Sequence, residues 1–209
     1  MVRAVFLDAL GTLVELEPPW LSLRDRVPAG ISDERLVSAL RAEMAYYRDH
    51  AHEGRDEPSL ADLRERCARL VSRELGTEVT PGELVASIRF RAYPDAQPAL
   101  GELRARGLRL IVVSNWDISL PRVLERCGLA GMVDETVTSA GAGARKPDPA
   151  IFNAALELAG ADPGEALHVG DTEDEDLAGA RAAGIRALLI DRNGDGGDIS
   201  SLKQIVEHL

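Results

Sequence analysis

Hydrophobic and polar positions follow two rhythms along this chain, and the change between them divides it. Val2, Ala4, Val5, Phe6 and Leu7 form a short apolar run broken only by Arg3, the pattern of a buried strand rather than a helix. The run stops at Asp8, and Gly11 and Thr12 follow, so a carboxylate stands where a buried strand opens into a turn. From residue 15 to about 92 the period is helical. Pro18-Pro19 mark a linker, and Leu36, Leu40, Met44 and Tyr47 then recur every three or four positions. Ser32 is the N-cap of that helix, with Arg35 where a capping box would need Glu or Gln. A second helix begins near Ser59, carries Leu60, Leu63, Cys67, Leu70 and Val71, and stops at Gly76. A third opens on Thr80-Pro81 and carries Leu84 and Ile88. No strand is expected in this unit, and Tyr93-Pro94-Asp95 reads as a return linker.

Beyond Asp95 helices and strands alternate. A helix with Leu100 and Leu103 closes at Gly107, and a strand over 108–113 finishes on Ser114-Asn115. A helix over 121–127 and a strand over 133–138 follow, then a Gly-rich turn to Arg145-Lys146-Pro147 and a helix over 148–159. A strand over 166–169 ends on Gly170-Asp171, and a helix (177–183), a strand (186–190) and a terminal helix (201–208) complete the pattern. Such alternation implies an α/β fold with a parallel sheet covered on both faces. The helical unit is then an insertion after the first strand, over the carboxyl edge of the sheet, where ligands bind in this architecture.

Composition narrows the partners. The net charge of −11 argues against nucleic acid or an anionic membrane, but not against a small anionic substrate met by local positive charge. Cys67 and Cys127 lie in helical patterns among apolar neighbours and read as reduced core residues. The longest apolar runs, 110–113 and 187–190, are far too short to span a bilayer, and the start shows no signal-peptide pattern; a soluble cytoplasmic protein is expected. Lys146 and Lys203 are the only lysines among 24 lysines and arginines. A lysine inside the body of such a chain marks a place that wants a compact point charge.

Three predicted strands end in polar residues, Asp8, Ser114-Asn115 and Asp171, and Lys146 precedes a helix at the same edge. Singly each reads as a helix cap or a solvated surface residue. Together they are the parts of a phosphate site: turn N–H groups, a hydroxyl and a cation. Carboxylates alongside require a metal to offset their charge, and an all-oxygen set suits Mg²⁺. Asp8-Ala-Leu-Gly-Thr-Leu13, Ser114-Asn115, Lys146-Pro147 and Gly170-Asp171-Thr172 with Asp176 resemble the four ordered motifs of the haloacid dehalogenase superfamily. The helical insert is similar to that of its subfamily with an α-helical cap.

The resemblance implies a Rossmann-like core from residues 1–14 and 93–209, with an all-α cap over 15–92. It implies that Asp8 is a nucleophile forming an aspartyl-phosphate. It assigns Mg²⁺ to Asp8, the carbonyl of Leu10 and Asp171, with Asp176 completing or supporting the set. Ser114 and the N–H of Asn115 would bind phosphate oxygens, Lys146 would neutralise charge, and Thr12 would orient the first turn. Trp116 and Asp117 are open between packing and substrate contact. The implied partner is a small phosphorylated molecule; the oligomeric state is not set by the sequence.

One position departs from the phosphatase pattern. Leu10 stands where family phosphatases carry a second Asp, general acid and then base, and such catalysis is worth about 10²- to 10⁴-fold. Slow phosphoryl transfer on unactivated esters is therefore expected, beside two alternatives: a non-catalytic metal- and phosphate-binding relative, and a 2-haloacid dehalogenase. The dehalogenases have a similar first motif, Asp-Ala-Tyr-Gly-Thr, but Ser-Asn where this chain has Gly170-Asp171, whose charge would repel Asp8 and a carboxylate substrate. The absence of lysine from 15–92 excludes the Schiff-base chemistry of the phosphonate-cleaving members. Asp191, Asn193, Asp195 and Gly196 resemble the start of a calcium loop, but its twelfth position is Leu202, and the segment reads as a connection. His50 and His52 are too few for a metal site. Tyr46, Tyr47 and Arg48 face either a substrate or the core of the helical unit.

Overall fold

The computed structural model describes residues 1–194 and 196–209. Its centre is a five-stranded parallel sheet built from β1 (Ala4–Leu7), β4 (Arg109–Ser114), β5 (Glu135–Thr138), β6 (Ala166–Gly170) and β7 (Arg186–Leu189), in the order β5-β4-β1-β6-β7. The chain builds outward from β1 to one side through β4 and β5, then crosses to the other through β6 and β7. The order reverses at β1, so the crevice beyond its carboxyl end is the switch point of the sheet.

Alternation along each strand divides the apolar side chains between two layers. Val5 and Leu7 join Leu110, Val112, Leu167 and Val169 on one face, under α5 (Ala96–Ala105) and α6 (Leu120–Arg126). Ala4 and Phe6 join Ile111 and Val113 on the other, under α8 (Pro149–Ala159) and α9 (Ala178–Ala182). Both faces are covered, as the near-continuous hydrophobic strands require.

Residues between β1 and α5 form a separate helical layer: α1 (Pro19–Leu23), α2 (Asp33–His50), α3 (Glu57–Leu75) and α4 (Pro81–Ser87). They share their own apolar cluster of Leu36, Leu40, Leu63, Val71 and Leu84. Ser32 caps α2 by accepting from the Arg35 N–H at 3.3 Å, and Thr80 and Glu83 form a capping box on α4. The helix expected to begin near Ser59 starts at Glu57, capped by Asp56 with Ser59 as its reciprocal partner, and Gly76 ends it at φ +67°.

The insert is not free of strands. β2 (Val14–Leu16) and β3 (Phe90–Ala92) pair antiparallel where the chain leaves β1 and returns to α5. Three residues are too few to show a period of two, and their partners lie far apart in sequence, so the pattern could not reveal them. Two further segments differ from expectation. The Gly-rich turn after β5 contains a short helix, α7 (Ser139–Ala142), capped by Thr138. The terminal segment Leu202–His208 winds as a 3₁₀ helix. Of the calcium-like segment, Asp195 lies outside the described residues.

Candidate active site

Asp8 follows β1 directly, its N–H bonded to the Val169 carbonyl of β6 at 2.9 Å, so the sheet fixes the backbone that carries it. Its side chain is buried. Ser114, the last residue of neighbouring β4, donates its hydroxyl to Asp8 Oδ1 at 2.9 Å, and Lys146 Nζ donates to the same oxygen at 2.6 Å. No donor among the described residues engages Asp8 Oδ2. Burial drives the Asp8 pKa upward, against the opposing pull of the Lys146 charge.

Lys146 is no surface lysine: its side chain is 2% exposed and spans two carboxylates, with Asp176 Oδ1 at 2.5 Å. Desolvation alone would favour the neutral amine, but the flanking Asp8 and Asp176 charges outweigh it and hold Lys146 as a cation. The same balance acts in reverse on Asp176. Burial would raise its pKa, yet Lys146 and the bond from His168 keep it below the usual carboxylate range. Its Oδ1 also meets His168 Nε2 at 2.8 Å, and its Oδ2 accepts from the Thr172 N–H at 3.1 Å. Asp176 therefore has its oxygens largely engaged by protein donors.

Asp176 reaches this place through a wide turn. Residues Glu173–Leu177 wind as a single π-type turn, with the Ala178 N–H bonded to the Glu173 carbonyl, where the sequence pattern predicts an α-helix starting at residue 177. Gly170 lets the carboxylate fold back over β6, since a Cβ there would lie 2.1 Å from Asp176 Cγ. Gly11 does the same for Asp171. It sits at φ +83°, and a Cβ on it would fall 1.9 Å from Asp171 Oδ2. Asp171 itself reaches solvent, but the packed walls around it and the Asp8 and Asp176 charges push its pKa up to about 6.

Asn115 has a role the sequence did not reveal. Its Oδ1 accepts from the Lys146 N–H at 2.7 Å while its Nδ2 donates to the Lys146 carbonyl at 3.0 Å. The amide thus grips both sides of the lysine backbone, and Nδ2 also bonds Glu175 Oε2 at 2.9 Å. His168 was missed as well. It is fully buried, edge-on to Phe152 at 5.0 Å between ring centroids, and reaches Asp176 from the middle of β6. A titratable residue inside the apolar run Ala-Leu-His-Val was the available signal. Thr12 is fully buried, its carbonyl accepts from the Arg192 guanidinium, and its hydroxyl has no protein partner among the described residues. Leu10 packs partly against the core and lines the cavity beside Asp8.

Above these residues lies a cavity of about 280 Å³, bounded below by Asp8, Ser114, Lys146 and Asp171 and above by α2, α3 and α4. Tyr47 and Arg48 line it, whereas Tyr46 packs against the insert's core and accepts from Arg66 at 2.7 Å. Asp117 is buried, accepting from Tyr47 Oη at 2.7 Å and from the Ser119 N–H at 2.6 Å, and Trp116 leans on Phe90. His50 bonds the Tyr46 carbonyl and stacks on its ring. Both cysteines are free, Cys67 buried and Cys127 half-buried.

A parallel sheet with strand-end carboxylates, a serine and a buried lysine at its switch point is the architecture of the haloacid dehalogenase-like hydrolases. The family model of that name matches residues 2–184, and this chain belongs to the family. Haloacid dehalogenase-like hydrolase domain-containing protein 3 of Bos taurus is 45% identical over 124 residues, covering 54% of this chain and 49% of the relative. The phosphoserine phosphatase of Thermus thermophilus is 38% identical over 137 residues, covering 62% and 55%. The chain thus spans about half the length of these curated relatives. A crystal structure of a HAD phosphatase from Thermococcus onnurineus superposes with a TM-score of 0.71 at 26% identity, covering 99% of this chain and 97% of that one. No helix among the described residues is long and apolar enough to cross a membrane.

Proposed function

We propose that this chain is a phosphatase-type hydrolase that transfers a phosphoryl group from a small phosphorylated molecule to Asp8, with the insert acting as a cap over the site. The carrying observation is the state of Asp8, which lines the cavity: one oxygen is pinned by Ser114 and Lys146, while the other meets no donor among the described residues. A carboxylate so held is oriented for attack. Asp8 Oδ2 forms the bond to phosphorus as the ester bond breaks, and the leaving oxygen takes its proton from solvent. Water then displaces the carboxylate, releasing phosphate and a proton. Lys146 offsets negative charge on the transferring group, and Ser114 with the Asn115 N–H orients its oxygens.

A divalent cation fits the residues present. Asp8, Asp171 and Asp176 can bring one oxygen each within 4.8 Å of one another, a hard-oxygen set matched to Mg²⁺. Asp8, Asp171 and the Leu10 carbonyl would hold it. Asp176, with its oxygens engaged by Lys146, His168 and Thr172, supports the set by fixing Lys146. When bound, Mg²⁺ supplies Lewis-acid stabilisation of phosphoryl charge.

Leu10 offers no acid or base, so turnover of unactivated esters is slow. The test is rapid-quench detection of phosphoenzyme with Mg²⁺ and an aryl phosphate. The expected result is a product burst with phosphate on Asp8, absent in Asp8→Asn. Mg²⁺ binding without phosphoenzyme or turnover would instead mark a binding protein. Halide release from a 2-haloacid, unaffected by a chelator, would mark a dehalogenase.

A further inference from the structure

The cavity over Asp8 is walled mainly by hydrocarbon. Leu10 from the first turn, Met44 from α2, Leu84 and Ile88 at α4, Phe90 from β3 and Trp116 after β4 face it, the last two rings 5.1 Å apart between centroids. At about 280 Å³ it lies at the lower edge of the roughly 300–1,000 Å³ typical of small-molecule sites, room for a body of one or two fused rings. Three arginines line it, Arg48 and Arg126 exposed and Arg64 half-buried, while two acids in its walls, Glu43 and Asp117, are buried.

A second, independent feature concerns the proton. Most acids lining the cavity are already committed. Asp8, Asp171 and Asp176 form the proposed nucleophile and metal cluster, and Glu175 accepts from Asn115 and Arg145. Asp117 accepts from Tyr47 and Ser119, and Glu43 is buried against Cys67 within the insert. Beside Asp8 the cavity wall is Leu10. At this position a leaving group departs without a proton from the residue two places after Asp8. A phenol, with a pKa of about 10, can leave as the anion. An aliphatic alcohol, nearer the roughly 15.7 of water, cannot do so efficiently.

We propose that the substrate is an aryl phosphate, the monoester of a phenol whose ring packs between the insert and the Phe90–Trp116 wall. The proposal rests on the Asp8 reading above and adds the chemical class of the leaving group. The phosphorus–oxygen bond breaks as Asp8 Oδ2 bonds to phosphorus, the phenolate carries off the electron pair, and solvent protonates it.

The experiment compares kcat/KM for 1-naphthyl phosphate, phenyl phosphate, phosphoserine and acetyl phosphate, with phosphoenzyme on Asp8 followed in parallel. Naphthyl phosphate is expected to exceed phosphoserine by about a hundredfold or more, and phenyl phosphate to fall between them. Acetyl phosphate is activated but lacks a ring, so it isolates the contribution of the walls. Met44→Asp and Ile88→Asn, two variants so that one misfolded protein does not decide the matter, should each lower the naphthyl-to-acetyl ratio about tenfold. Equal rates on phosphoserine and naphthyl phosphate, with Asp8 phosphorylated by both, would overturn the proposal and leave the Asp8 reading standing. An absence of both phosphoenzyme and turnover with all four compounds would overturn both.

Discussion

At the scale of single residues the site is an arrangement of charges that tolerate burial only together. Lys146 lies between Asp8 and Asp176 with almost no exposure, and the desolvation cost of all three is offset by contacts of 2.5–2.6 Å. Removing one partner from such a set leaves an uncompensated charge, which costs far more than the set contributes as a whole. Lys146→Met should therefore lower unfolding free energy by about 3–5 kcal/mol, read from the urea midpoint at pH 7. A change under about 1 kcal/mol would mean that water, not the lysine, compensates these acids. His168 and Asn115 belong to the same scheme, one holding Asp176 and the other the backbone of Lys146.

At the scale of elements, stability concentrates where helices meet the sheet edge. Gly179 in α9 packs so closely on α8 and the segment before it that a Cβ would lie 2.6 Å from Phe152 Cε2 and 2.9 Å from the Pro147 backbone. Alanine favours a helix, but here the clash exceeds that gain, and Gly179→Ala should destabilise by about 1–3 kcal/mol in thermal or urea unfolding. Asp95 ties the start of α5 to the C-terminal segment, accepting from Arg192, Ser201 Oγ and the Leu202 N–H. Burial would raise its pKa, but these donors outweigh it and hold it below its usual 3.8. A depressed folded pKa means stability that is complete above the unfolded value and lost as pH falls through the folded one. Asp95→Asn should thus cost about 1.5–3 kcal/mol at pH 7, with the gap to the parent protein shrinking only below about pH 4. A gap that stayed constant down to pH 3 would contradict this assignment.

At the scale of the whole molecule, the insert and the sheet each have their own apolar core and are joined by few polar links. Tyr47 of α2 reaches across to Asp117 at 2.7 Å, and the Ile118 N–H bonds the Gly54 carbonyl at 3.1 Å. The short ribbon of β2 and β3 joins the two at the crossing. Tyr47→Phe leaves a buried carboxylate short of one donor and should cost about 1–3 kcal/mol. Amide exchange in α2 and α3 should speed up more than exchange in β1 and β4, because the lost bond holds the insert rather than the sheet. Uniform acceleration across all four would show that the two cores unfold as one unit.

The sequence by itself determined the α/β alternation, the two-faced sheet, the helical insert and the strand-end residues Asp8, Ser114 and Asp171, because each rests on a local period or on the place where an apolar run stops. Family membership was also legible, since its motifs are short and ordered along the chain. Only the tertiary structure decided what depends on residues far apart in sequence. It paired β2 with β3, gripped the backbone of Lys146 with Asn115, and brought His168 and Lys146 onto one oxygen of Asp176. The wide turn at Glu173–Leu177, just ahead of the helix expected from residue 177, belongs with these. Periodicity records which face of an element is buried, but not which polar group waits on the facing element. That pairing is set by the desolvation of charges once the layers close.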